Sequence, residues 1–266
     1  MASIRYYQNG AGGSVGADFA VLKNTYRSGN YIYVGNAVSG ASDANAGTER
    51  TKPLATIGQA NTNSAAGDTV VVLAGHNETV TSSVVLSKAG VTIAGEGSGT
   101  LVPRFTCNAA IAMLDITAAG VQLDNLYFPA STAVPTARVR VGAAFSWLRH
   151  LQFDCGASDT VRALSYVTGA GTARFTDSRF TAVAATPAVG LEVINAITDL
   201  AMDIVTFDAG SFQWSDYAWK GSAAITRLKA TRIYQFAGSH ILFPTTTTGD
   251  LQIAGATGDS RVDWTV

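Results

Sequence analysis

Charge is scarce in this sequence. Of 266 residues, 14% are Asp, Glu, Lys or Arg, with 18 basic against 19 acidic side chains and a formal net charge of −1. A typical globular chain carries about a quarter. Without clustered Lys and Arg there is little to release counterions from a phosphate backbone, which argues against a nucleic-acid binder. Cysteine is nearly missing too. Cys107 and Cys155 stand alone, so a disulfide framework is excluded and a reduced, buried pair is expected. Three His without Cys-x-x-Cys or His-x-x-x-His spacing give no support for a zinc site, and no cofactor is expected. No apolar run approaches the roughly 18 to 20 residues that span a bilayer. The first thirty residues lack a basic-then-apolar signal pattern, so folding in a cytoplasm without a membrane partner is the expectation.

The chain does have short apolar-alternating runs punctuated by Gly, Asn, Asp, Ser and Thr. Hydrophobic residues make up 47%, and there are 27 Gly. YIYVG, DTVVVLAG, SSVVLS, VTIAG, MLDIT and VQLDNLYF are strands of 4 to 8 residues by length and β-branched content. Helical periodicity is confined to a short stretch near Asp18 to Tyr26 and to LATIGQANTNSAAGD at Leu54 to Asp68. The chain is all-β.

An internal repeat narrows this further. Strand-like segments end on an aromatic at Phe128, Phe153, Phe180, Phe207 and Tyr234, spaced by about 25 to 27 residues. A second series, around Ile116, Val141, Tyr166 and Ile194, keeps the same period. A coil of that length cannot bury its own apolar side, whereas stacked coils pair every strand with its equivalent and fill one core. A propeller blade needs about 40 to 45 residues, and the Asn-Gly or Asp-Gly turns of hairpins are missing between the segments. The expected fold is therefore a right-handed parallel β-helix, a solenoid whose aromatics form a core ladder. Residues 1–30 read as an N-terminal arm, 31–244 as the β-helix and 245–266, after the break at Pro244 and Thr245 to Thr248, as a C-terminal capping or trimerisation segment. The helix near Leu54 would cover the N-terminal edge, which otherwise invites aggregation.

YIYVGNAVSGASDANAGTERTKPLATIGQA, followed by GDTVVVLAGHNETV and VTIAGEGSG, resembles the opening coils of pectate-lyase-like β-helix proteins. The resemblance implies the fold but not one function, because this fold carries lyases, hydrolases, esterases, adhesins and phage structural proteins. Small, neutral, Gly/Ala/Thr-rich members are similar to tailed-phage virion components.

Chemistry-bearing motifs are few. Gly95-Glu96-Gly97-Ser98-Gly99 lacks Walker spacing and a following helix, so it reads as a turn. Asp43-Ala44-Asn45-Ala46-Gly47 lacks the twelfth-position Glu of a calcium loop, where Leu54 stands. Asn77-Glu78-Thr79 matches a glycosylation triplet. His76 reads as a turn histidine, and His150 and His240 receive no role. Asp124, Arg149, Asp177 and Asp203 fall at related places in successive repeats and are the candidate catalytic set, expected along one face as a salt-bridge ladder. Asp124 and Asp203 are three coils apart, about 14 Å, too far for the carboxylate pair of sugar hydrolysis. The aromatic cluster Phe212, Trp214, Tyr217 and Trp219, together with Trp264, is expected at a subunit interface, where such residues are enriched.

Together these point to a non-enzymatic structural protein of a phage virion: a homotrimeric capsid decoration or head spike. Its partners would be itself, the major capsid protein or other virion proteins, and host surface glycans. The alternatives are a tail-spike-like polysaccharide depolymerase or lyase using the Asp/Arg ladder, and a carbohydrate-binding adhesin centred on Trp214 and Trp219.

Overall fold

The computed structural model describes residues 29–264, apart from 131–135, 157–163, 167–171, 184–188, 209–213, 215–216, 222, 224, 237–239, 244–247 and 255–260. The side chains of 164–166, 217, 221, 240–243, 248–254 and 261–264 are likewise outside the description. Strand β1 (Tyr31–Val34) and helix α1 (Ile57–Asn63) open the fold. Coils of three short strands follow: β2 (Thr69–Val72), β3 (Asn77–Val80) and β4 (Val84–Leu86); β5 (Thr92–Gly95), β6 (Arg104–Cys107) and β7 (Ala112–Ile116); β8 (Gln122–Asp124), β9 (Tyr127–Phe128) and β10 (Ala137–Val141); β11 (Ser146–Arg149), β12 (Gln152–Cys155) and β13 (Leu164–Tyr166). In later coils the first two strands fuse, giving β14 (Thr172–Ala182) with β15 (Val189–Val193), β16 (Ile197–Asp208) with β17 (Tyr217–Gly221), β18 (Ile225–Gln235) with β19 (His240–Phe243), and β20 (Thr248–Ala254) with β21 (Arg261–Trp264).

All pairings between these strands are parallel, each strand lying between its counterparts in the coils before and after. The chain is a parallel β-helix. β4, β7, β10, β13, β15, β17, β19 and β21 form one flank; the other two flanks join through the long strands β14, β16 and β18. The corner between those two flanks is a single left-handed residue that recurs coil after coil: Asn125, His150, Asp177, Ile204 and Arg232, with φ between 50° and 54°. Asn125 suits that conformation, and its amide also donates to the Gly95 and Gly97 carbonyls at 2.9 and 3.0 Å. That anchors the Gly95–Gly99 turn, and Arg50 forks onto Glu96 in the same turn.

Inside, Phe105, Phe128, Phe153, Phe180 and Phe207 are fully buried. Phe128, Phe153, Phe180 and Phe207 stack at 4.9, 4.9 and 5.2 Å, with interplanar angles of 7–11°. Each buried ring contributes about 1.5–3 kcal/mol by leaving water. Tyr234 does not continue this column. Its register partner is Thr206, and the position opposite Phe207 is Gln235, which is buried. The reason is one added residue: the left-handed corner advances from Ile204 to Arg232, one position more than from Asp177 to Ile204, so Tyr234 turns outward. Trp219, from the third flank, stacks on Phe207 instead, at 6.4 Å.

The N-terminal end is closed by the chain itself. Tyr33, on the outer edge of β1, donates its N–H to the Gly47 carbonyl and accepts the Leu54 N–H on its own carbonyl, and Leu54, Ile57 and Ala60 bury their side chains against the first coil. The helix is shorter than the Leu54–Asp68 periodicity predicts. The Asp43 carboxylate accepts the N–H groups of Ala55 and Thr56, each at 2.9 Å, and the Thr56 hydroxyl at 2.8 Å. Thr56 in turn caps the Gln59 N–H. At the other end Lys88 donates to the carbonyls of Asn61 (2.6 Å), Thr62 (2.9 Å) and Ser64. A cation on the last carbonyls complements the helix dipole, and Ser64 leaves helical geometry with ψ 155°.

β20 pairs with β18, and β21 with β19, in the same parallel sense, so parallel stacking extends into the segment that the sequence sets apart as a C-terminal cap. The N-terminal arm falls almost wholly on residues 1–28, which lie outside the described residues.

Candidate functional site

Of the four residues expected on one ladder, Asp124, Arg149 and Asp203 are ion-paired between coils. Cross-strand register places Asp124, Arg149, Thr176, Asp203 and Thr231 side by side on β8, β11, β14, β16 and β18. Asp177 is one residue further, at the left-handed corner. Asp124 accepts from Arg149 at 2.7 Å through one oxygen and meets His150 Nδ1 at 2.7 Å through the other. Asp203 accepts from Arg232 Nε at 2.7 Å, from Arg232 Nη2, and from the Thr231 hydroxyl at 2.8 Å. These bonds to the charged form hold the Asp203 carboxyl below the usual carboxylate range, the Arg232 bond being the largest cause and burial opposing it. Asp199 is lowered in the same way by Arg227, helped by Thr172.

His150 is the member that sequence reasoning missed. Alternation from Trp147 leaves its facing ambiguous, because the corner at φ 52° interrupts the in-out pattern. The corner turns the imidazole back onto Asp124. The result is an Asp124–His150–Arg149 cluster, with Asp177 at the next corner. The Asp124 carboxylate orients the imidazole. Asp203, bonded twice to Arg232 and held low, is a poor general acid, because each bond favours its ionised form.

The pattern extends round the solenoid. Asp115 bonds Arg140 (Nε at 2.8 Å), Asp199 bonds Arg227 (2.5 and 2.6 Å), and Arg179 bonds Asp208. Each pair joins one coil to the next. The Tyr127 hydroxyl donates a hydrogen bond to the Asp154 carboxylate, also one coil on. Burial first, then this bond, pushes its phenol up to about 12. Among the described residues no group of three His, Cys, Asp or Glu is arranged to hold a metal ion, and no helix is long and apolar enough to cross a membrane.

The predicted interface cluster is corrected at its centre. Trp219 is 0% and Trp214 6% exposed within a single chain, because Trp219 fills the column at Phe207 and Trp214 packs where any side chain at Gly190 would meet it at 3.1 Å. Neither ring is available to a sister subunit or a sugar. Phe212 and the side chains of Tyr217 and Trp264 lie outside the described residues.

His76 is a structural latch. Its Nδ1 accepts the Asn36 N–H at 3.1 Å, so the proton sits on Nε2, which bonds Glu78 at 2.9 Å. Glu78 also receives the Ile57 N–H at the start of α1. Asn77 and Asn36 close the same junction with two further bonds. His240 is outside the residues whose side chains are described.

No protein-family model matches this sequence, and no curated protein sequence does either. Among solved structures, the pectin methylesterase from Aspergillus niger is similar with a TM-score of 0.48 and 14% identity over 91% of this chain and 86% of that one. The deglycosylated form of the same enzyme gives 0.47 and 13%, over 90% and 87%. A pectate lyase, Pel9A, gives 0.47 and 9%, over 90% of this chain and 81% of that one. The parallel β-helix assigned to this chain rests on its own strand register, and no activity is carried across from these enzymes.

Proposed function

We propose that the chain is a rigid, non-catalytic structural element: a homotrimeric decoration or head-spike component of a tailed-phage virion, with residues 1–30 attaching it to the capsid shell. The observation that carries this reading is where the outward charges go. Asp115, Asp124, Asp199, Asp203 and Asp208 each pair with an arginine of a neighbouring coil. Placed this way, scarce charge stitches coil to coil and stiffens the rod, and little is left for acid–base work. Light scattering on the purified chain, together with deletion of Met1 to Asn30, tests it. The expected result is a trimer that loses capsid binding without the arm; a stable monomer that binds capsids armless would sink the idea.

The Asp124–His150–Arg149 cluster favours a second reading, a polysaccharide depolymerase or lyase. Product assays on a capsule panel separate the two: turnover abolished by His150→Ala or Asp203→Asn would replace the structural reading. With both rings buried by the chain itself, Trp214 and Trp219 offer no surface for an adhesin.

A further inference from the structure

A trimer needs a contact face, and with Trp214 and Trp219 buried the flank formed by β11 and β14 supplies one. At the turn entering this flank, successive coils place Gly67, Gly90 and Gly120 at φ +80°, +69° and +74°. Each donates its N–H to the next coil, to Ala89, Ala119 and Ala144. The following coil puts Phe145 in that place, with its N–H on the Thr172 carbonyl, φ 59° and its side chain 67% exposed. A bulky side chain in left-handed backbone is strained where glycine is not, and an exposed ring returns no burial to offset it. Strain at an exposed ring in a slot that three preceding coils fill with glycine motivates a functional reading. Two residues on, the Trp147 indole N–H is buried with no hydrogen-bond partner, while Arg149 and Arg174 lie over its ring at 4.5 and 5.8 Å. Trp and Arg are the side chains that dominate protein interfaces. On β14 itself, Arg174 and Asp177 are both exposed, and neither forms an ion pair with a described residue. Asp177 acts on Arg232 only electrostatically, that guanidinium being held by Asp203.

We propose that this flank, centred on Phe145, Trp147 and the Arg174–Asp177 couple, is the surface through which the chain packs against a second copy of itself about an axis parallel to the solenoid. Rotation about such an axis preserves height, so a residue meets the neighbouring copy at its own coil or an adjacent one. Arg174 and Asp177 share a strand, hence a height, and have opposite signs. Arg174 of one copy therefore opposes Asp177 of the next in a heterologous contact, and Phe145 and Trp147, on the preceding coil, fill it with apolar surface.

The inference rests on the oligomeric reading above, and light scattering with thermal melting separates the two. Wild type is expected to run as an oligomer. Phe145→Gly is expected to melt no lower as an isolated chain but to shift toward monomer on dilution. Arg174→Asp is expected to be monomeric, and Arg174→Asp with Asp177→Arg to associate again. A monomeric wild type overturns both the oligomer and this face. An oligomeric wild type whose Phe145→Gly and Arg174→Asp variants stay associated overturns the face alone, as does failure of the double reversal to restore association when its melting matches wild type.

Discussion

Phe153 is the most informative single position in the fold. Its ring is fully buried and stacks on Phe128 and Phe180, at 4.9 Å on each side. Phe153→Ala removes that burial and leaves a cavity between two rings that the parallel ladder prevents from closing. Large-to-small substitutions of this kind cost about 3–5 kcal/mol, and each lost ring pair accounts for about 0.5–1.5 kcal/mol beyond area burial, so the upper half of that range is expected. Against a total stability of about 5–15 kcal/mol, the urea midpoint falls substantially at unchanged slope. Tyr234→Ala is the control. By spacing alone it belongs to the same column, but by register it faces outward opposite Thr206, so its loss should stay near the roughly 0.5 kcal/mol of surface changes. Equal losses at the two positions, or a Phe153→Ala loss below about 1.5 kcal/mol, would refute the assignment of the column and the burial argument behind it.

Other expectations follow from the polar network. Lys88→Met removes three bonds to the last carbonyls of α1 and should destabilise by about 1–2 kcal/mol, with faster amide exchange across Ile57–Asn63. Asp203 is held low in the folded state, so its pairing stabilises above the unfolded carboxyl value of about 3.9 and is lost as pH falls through the lower folded value. The melting difference between wild type and Asp203→Asn should accordingly be largest near neutral pH and vanish in strong acid; a difference that grows on acidification would reverse the sign of the reasoning. Spectrophotometric titration against Tyr127→Phe should show one tyrosine ionising at about 12. In Asp154→Asn that value should drop but remain above the ordinary 10, since burial persists.

Legibility differed between core and corners. The Phe128-to-Phe207 series could be seen because identical core slots recur at one period, and stacked coils demand similar side chains at each level. The Asp124–Arg149 pair was legible for the same reason. His150 and Tyr234 were not, because a single left-handed corner or one added residue changes which way a side chain faces without altering the composition around it. The Trp214–Trp219 cluster shows the same limit: aromatic density says that large rings must be buried, but not whether the chain or a neighbour buries them.

Strand content, repeat length and scarcity of charge are properties of the sequence alone, and they sufficed for a parallel β-helix because stacking such short, strand-rich coils pairs each strand with its equivalent and fills one core. Tertiary structure decided how the few charges are used. Rung spacing near 4.8 Å brings Asp124 to Arg149 and Asp203 to Arg232, so carboxylates that look available in the sequence are already bonded to the next coil. The same register left Phe145, Arg174 and Asp177 facing outward without an ion-pair or burial role in the described fold.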